Sequence, residues 1–428
     1  MKSKVVFWLT AALLTLAMFQ DKRWKYLDVL DSDPGGYYVY LPSAFIYGDL
    51  GRPDSLSKLR PLYRPQEEPA ELGLIPLPGK RYMSKYSLGK SVADMPWFLG
   101  AHAWARSSEK HAADGFSRPY QQAIMLAGLF HGILGLWVLR KLLRRYYDDN
   151  TTAWALAGIG LGTNYFCYAS YEANMAHAVL FLWQAALLYC TARWYDTGRT
   201  RFAAGIGLFL GLAVLTRPSE AMYVLLPLAW GLTLAGPALR RRAAWWWARR
   251  GQILLAAGLL LAVVSLQMLF WHHVAGRWVL YSYTGESFDF LRPHLLDGLF
   301  SFRKGWWVYT PMALLSLAGL RWLRRDVPAA WLPALLLIPV VIYVTFSWGS
   351  WSYGGSFSSR PLVSLYPVLA LPLASLLAHA RLRRSLRALV TAFILLNLWQ
   401  SWQYAAGVIH WDEMTAERYF RNFFRLRL

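Results

Sequence analysis

The feature that most constrains this chain is the repetition of apolar runs of about 15–20 residues with short basic clusters set between them. Runs long enough to cross a bilayer, allowing for tilt and snorkelling, begin near Val5, Gln121, Thr152, Ala176, Phe202, Ser219, Gln252, Trp306, Ala329, Pro361 and Leu386. The pattern predicts an all-α integral membrane bundle of about eleven transmembrane helices. Composition agrees, with 56% hydrophobic and only 16% charged residues, and with 23 Trp and 25 Tyr among 428 residues. Such a chain is too apolar and too aromatic for an ordinary soluble enzyme. The formal net charge of +21 is dispersed between the apolar runs instead of gathered on one face. That distribution points to a bilayer and away from nucleic acid.

The opening MKSKVVFWLTAALLTLAMFQ has a basic start and an apolar centre but no small-residue cleavage signal, so it reads as an uncleaved first helix. With the amino terminus cytoplasmic, the inside segments are RKLLRR (140–145), RWYDTGRTR (193–201), RRRAAWWWARR (240–250), RWLRR (321–325) and RLRRSLR (381–387). All are strongly basic, as the charge rule for short loops requires. The alternate connections, 21–117, 168–175, the Arg217-Pro218 turn, 272–305, 348–360 and the tail from 404, then face outward. The expected location is a bacterial-type inner membrane, with the site facing the periplasm. Cys167 and Cys190 fall near opposite ends of neighbouring predicted helices, which argues against a disulfide framework. No repeat or linker divides the chain, so residues 1–428 read as one polytopic domain.

The connection 21–117 is too long for a simple linker. Its stretches YYVYLPSAFIYGDL (37–50) and SVADMPWFLGAHAWA (91–105) mix aromatic, aliphatic and small residues, and read as helices lying in the membrane interface. Asp33 precedes Pro34, Gly35 and Gly36, a combination that turns the chain and can start a helix. Asp33 therefore reads either as a helix N-cap or as a chemical group. Asp31 is the fallback in a D-x-D whose simpler role is a solvated loop acid, and Asp28 has less to recommend it.

Other polar residues share the predicted outer side. Lys85 and Tyr86 precede the second interfacial stretch, where the lysine either snorkels to headgroups or meets a substrate. His177 follows Glu172 and Asn174 at a helix start and reads as a structural hydrogen-bonding group or a substrate contact. Arg217 lies close to hydrocarbon and needs a partner. Glu220 can pair with it, or its guanidinium can take a phosphate. Glu286 is an exposed loop acid, a hydrogen-bond acceptor or a metal contact. Arg303 and Lys304 oppose the usual charge bias, and are read as contacting a lipid phosphate or anchoring at headgroups. The stretch 347–362 carries Trp348, Trp351 and Tyr353, suited to sugar faces or to an aromatic belt, and ends near Arg360.

Four motifs in order, D-x-x-G-Y-Y-x-Y-L-P from Asp33, K-Y-S-L-G from Lys85, L-T-R-P from Leu215 and W-x-Y-G-G-S-F-x-x-R-P-L from Trp351, resemble the large polytopic glycosyltransferases that use polyprenyl-phosphate sugars. This superfamily includes protein O-mannosyltransferases and lipid A aminoarabinose transferases. The resemblance spans roughly residues 25–375 and implies a GT-C-like fold whose first outer loop carries a catalytic acid. Asp33 best matches that acid, with Asp31 behind it. Lys85 matches a basic position that contacts lipid phosphate, and Arg217 and Arg360 are carried over beside it. Unlike the best-known members, this chain shows no sizeable soluble C-terminal stretch.

The implied activity is inverting transfer of a sugar from a polyprenyl-phosphate donor to an envelope lipid, glycan or protein. Asp33 would act as base, with Lys85, Tyr86, His177, Arg217, Glu286 and Arg360 contacting substrates. Desolvation is expected to raise the Asp33 pKa and improve it as a base. No organic cofactor is implied; a divalent metal is left open, since Asp31 and Asp33 could share Mg²⁺ or Mn²⁺, although two acids alone do not define a site. The competing reading is a non-catalytic lipid or glycan transporter, which would need the basic cavity but not Asp33. A structural subunit of an envelope complex would explain the aromatics but not the cations at one boundary.

Overall fold

The structure is a computed structural model that describes residues 2–52, 72–379 and 383–427. Part of the 21–117 connection and of the basic stretch 381–387 lies outside the described residues. The described residues form an all-α membrane bundle with one small β-hairpin. Among the described residues, five helices are long and apolar enough to cross a membrane: Lys2–Lys25, Arg118–Leu143, Arg250–Ala275, Pro328–Phe346 and Arg360–His379. His177–Thr197, Thr200–Thr216 and Arg383–Ala405 also fall where apolar runs predict helices.

The three remaining predicted spans take other forms. Asp149–Gly162 has 14 residues, or about 21 Å of helix, shorter than a hydrocarbon core. The run from Ser219 is a 3-10 turn, Pro218–Val224, followed by the short helix Leu225–Ala229. The run from Trp306 divides into Trp306–Tyr309, Met312–Ala318 and Leu320–Asp326. Proline and close packing break these runs. Pro311 lacks the N–H that a continuous helix would donate there, and a Cβ on Gly319 would lie 1.9 Å from the Pro372 carbonyl oxygen.

Small residues let the central helices approach. Arg118–Leu143 packs on His177–Thr197 and on Gly89–Arg106. A Cβ on Gly207, in Thr200–Thr216, would sit 2.1 Å from the Ala256 carbonyl oxygen of Arg250–Ala275, the contact that small-residue helix faces permit in membranes. Asp148 caps the helix Asp149–Gly162 by accepting from the Asn150 and Thr151 amides. Cys167 and Cys190 are both free and buried.

Both helical stretches expected in the 21–117 connection are present. The first is a set of short turns, Ser32–Tyr38, Tyr40–Pro42 and Ser43–Tyr47, and the second is the helix Gly89–Arg106. Between them lies an antiparallel hairpin of Leu74–Leu77 and Arg81–Ser84, which sequence reasoning did not anticipate. Its signal was legible in Pro78-Gly79, a turn dipeptide between two short apolar stretches. The hairpin leans on the carboxyl end of Arg250–Ala275, where the Arg81 guanidinium donates to the His273 and Val274 carbonyls at 3.2 Å each.

Candidate active site

Asp33 sits in the first turn of the helix Ser32–Tyr38, and Asp31, not Asp33, occupies the N-cap position. The N-cap reading of Asp33 is thereby corrected: its carboxylate turns away from the helix's own amides to meet side chains from distant segments. Ser32, directly before it, adopts φ +50°, a left-handed conformation that costs a serine roughly 1–2 kcal/mol. The glycines that follow allow close approach. A Cβ on Gly36 would lie 2.3 Å from the Leu72 carbonyl oxygen and 2.4 Å from Cδ2 of Tyr86. The hairpin can therefore bring Tyr86 against this helix, and the Tyr86 hydroxyl donates to Asp33 Oδ1. Arg360 Nη2 donates to Asp33 Oδ2 at 2.6 Å.

Lys85 follows the second hairpin strand. Its ammonium pairs with Glu286 Oε1 at 3.2 Å and lies 5.4 and 5.5 Å from the ring centres of Tyr86 and Tyr283. The loop bearing Glu286 is held against the hairpin, since the Ser282 hydroxyl donates to the Lys85 carbonyl at 2.8 Å. It is also pinned to the 347–353 loop by the Asp289 amide on the Ser347 carbonyl and the Gly349 amide on the Ser287 carbonyl. Arg217 ends the helix Thr200–Thr216. It reaches Glu220 at 3.3 Å, donates to the Pro361 carbonyl at 3.3 Å, and approaches His177 Nδ1 at 3.1 Å. Glu220 is buried and also accepts from Gln184 and Ser364.

The structure thus joins Asp33, Lys85, Tyr86, Glu286 and Arg360 in one polar cluster. It links Arg217 and His177 to that cluster through Pro361, the residue after Arg360. Each of the three cations has a carboxylate partner: Arg360 with Asp33, Lys85 with Glu286, and Arg217 with Glu220. Among the described residues, no group of three or more His, Cys, Asp or Glu is arranged to hold a metal ion.

Burial by itself pushes the Asp33 carboxyl up. Arg360, the Tyr86 hydroxyl and Lys85 together outweigh that desolvation and hold it below the ordinary carboxylate value. This is the reverse of the shift expected from desolvation alone, because the carboxylate is ion-paired where the sequence suggested only a cavity wall. Burial and the adjacent Asp33 charge raise the Tyr86 phenol, so the shared proton stays on the tyrosine. Tyr37, about one helical turn after Asp33, is pushed up to about 12 by burial and then by Asp33.

Several residues considered from sequence have structural partners instead. Glu172 pairs with Arg23 at 2.9 Å, and Asn174 donates to the Val29 carbonyl at 2.8 Å, so both fasten the start of the 21–117 segment. Arg303 forms a double contact with Asp412 at 3.0 and 3.1 Å, and Lys304 donates to the Ser356 and Trp411 carbonyls. Lys304 is turned into the protein, which replaces the expectation of a lipid-phosphate or headgroup contact for that residue, whereas Arg303 stays exposed beside Asp412. The loop carrying Arg360 is also held by Tyr168, whose hydroxyl accepts from the Phe357 amide at 2.8 Å. Tyr37 and Tyr283 were not singled out from sequence. Their signal was proximity to Asp33 and Glu286 along the chain, which does not by itself reveal orientation.

Comparison with solved structures places this architecture. The crystal structure of ArnT from Cupriavidus metallidurans in the apo state matches 94% of this chain with a TM-score of 0.54 and 16% sequence identity. The bundle is GT-C-like. This chain spans 64% of the length of that protein. The sequence matches no protein-family model and no curated protein.

Proposed function

We propose that this protein transfers a sugar from a polyprenyl-phosphate donor to an acceptor in the cell envelope, at the periplasmic side of a bacterial inner membrane. The observation that carries this reading is the meeting of Asp33 with Arg360, Tyr86 and the nearby Lys85, residues brought from three remote stretches of a bundle that folds like ArnT, an aminoarabinose transferase. Glycosyl transfer from such a donor needs cations for the departing phosphate and an acceptor for one proton. This cluster contains both.

In the proposed step the acceptor oxygen attacks the anomeric carbon from the face opposite the phosphate. The bond from that carbon to the phosphate oxygen breaks, its electron pair leaves with the polyprenyl phosphate, and the acceptor proton passes to Asp33. Lys85 and Arg360 receive the phosphate charge, and Arg217 supports the chain at Pro361. The ion pairs give this sequence an order. A phosphate that takes Arg360 and Lys85 draws them from Asp33 and Glu286. Burial then acts on an Asp33 with weaker opposition and makes it a better base once the donor has bound. His177 orients Arg217, and Tyr86 keeps the carboxylate aimed.

Purified wild type and D33N would be supplied with a panel of radiolabelled polyprenyl-phosphate sugars and membrane acceptors. Wild type should transfer label, and D33N should lose about 10²–10⁴-fold in rate while still binding donor. Undiminished transfer by D33N would remove Asp33 from its role. Donor binding without any transfer by wild type would favour transport over catalysis.

A further inference from the structure

The bundle end opposite the candidate site carries a second charged feature that sugar transfer does not use. The helix Arg250–Ala275 has its carboxyl end at the hairpin below Lys85, where Arg81 holds the His273 and Val274 carbonyls. Its 26 residues place its amino end about 39 Å away. There the separate helix Gly236–Ala248 precedes it and has no buried residue. The sequence GPALRRRAAWWWARR supplies five arginines and three consecutive tryptophans, and no acid occurs between Glu220 and Glu286.

The side chains are arranged as a stacked, basic surface. Arg242 lies 4.4 Å from the Tyr195 ring centre and donates through Nη2 to the Trp230 carbonyl at 2.8 Å. Its other terminal nitrogen, Nη1, is shielded from solvent and has no acceptor among the described residues. Arg249 stacks 4.3 Å from the Trp245 ring centre. Arg240 and Arg241 are exposed. An unpaired, shielded guanidinium nitrogen beside aromatic faces and exposed arginines calls for an anion that brings its own apolar body. The helix directly precedes a membrane-crossing one, so that anion lies at headgroup depth.

We infer that the surface formed by Arg240, Arg241, Arg242 and Arg249 with Tyr195 and Trp245 binds the headgroups of anionic phospholipids in the leaflet opposite the candidate site. Arg242 donates from Nη1 to a phosphate oxygen there, the exposed arginines meet neighbouring headgroups, and the tryptophans enter the interfacial layer. The surface anchors and orients the bundle, and does so whether or not the protein transfers sugar.

The test uses full-length protein in mild detergent, given an equimolar mixture of phosphatidylglycerol and phosphatidylcholine, with retained lipids counted by native mass spectrometry. Wild type should retain phosphatidylglycerol preferentially. Each arginine removed in R242Q and in R240Q/R241Q should weaken that retention by about fivefold. R242K keeps the charge but not the planar stack, and should fall between R242Q and wild type. A readout independent of variant folding is the salt dependence of wild type: the extra thermal stabilisation by phosphatidylglycerol over phosphatidylcholine should collapse at high ionic strength. Equal retention of the two lipids, or a preference insensitive to both salt and the substitutions, would overturn the assignment. Displacement of phosphatidylglycerol by equimolar glycerol phosphate would overturn it in favour of a soluble anion.

Discussion

Replacing Arg360 by methionine isolates the interaction that sets the charge state of the candidate site. The guanidinium lies 2.6 Å from Asp33, and the two side chains are 12% and 22% exposed. Losing one partner of a fully buried pair costs about 3–5 kcal/mol. Partial exposure, together with the Tyr86 hydroxyl and Lys85 that remain near Asp33, reduces the expected cost of R360M to about 2 kcal/mol. Most of that is the penalty of an undercompensated carboxylate, so D33N/R360M should recover about 1–2 kcal/mol relative to the sum of the single variants. Unfolding by detergent titration at neutral pH, followed by far-ultraviolet circular dichroism, measures all four corners of the cycle. The pH dependence supplies a second check. In wild type the Asp33 pKa is depressed, so its stabilisation is full above the ordinary carboxylate value and is lost only as pH falls below about 4. In R360M burial is less opposed, the pKa rises, and acidification from neutrality should relieve the penalty instead. Additivity within about 0.5 kcal/mol, with parallel pH profiles, would refute the ion-pair account.

E286Q removes the carboxylate that competes for Lys85. Both side chains are more than a quarter exposed, so the stability change should stay below about 1 kcal/mol, while polyprenyl phosphate binding measured by titration in detergent should tighten. K304M tests a different buried charge. Burial lowers the Lys304 pKa from 10.5 to about 7, so the charging penalty is present below pH 7 and relieved as pH rises toward the unfolded value. Wild-type stability should therefore gain from this group across that alkaline window, on the order of several kcal/mol in total, and K304M should lack the rise when unfolding is followed as a function of pH.

Sequence alone determined the membrane class, most helix positions and the residues with chemical potential, because hydrocarbon imposes long apolar runs and confines charge to their ends. The runs at Val5, Gln121, Gln252 and Ala329 became long helices for that reason. Those at Ser219 and Trp306 did not: prolines and close glycine contacts interrupt them, and whether a short interruption bends or divides a helix depends on what packs beside it. The same limit governs the site. Asp33, Lys85 and Arg360 were recognisable as unusual residues near membrane boundaries. Only tertiary structure decided that Arg360 reaches Asp33 across 327 positions of chain, that the 74–84 hairpin delivers Tyr86 to the same carboxylate, and that Lys304 turns inward. The direction of the Asp33 pKa shift followed from those contacts. Desolvation can be anticipated from local sequence, but the opposing charges come from remote segments, and Coulomb energy depends on their separation in space.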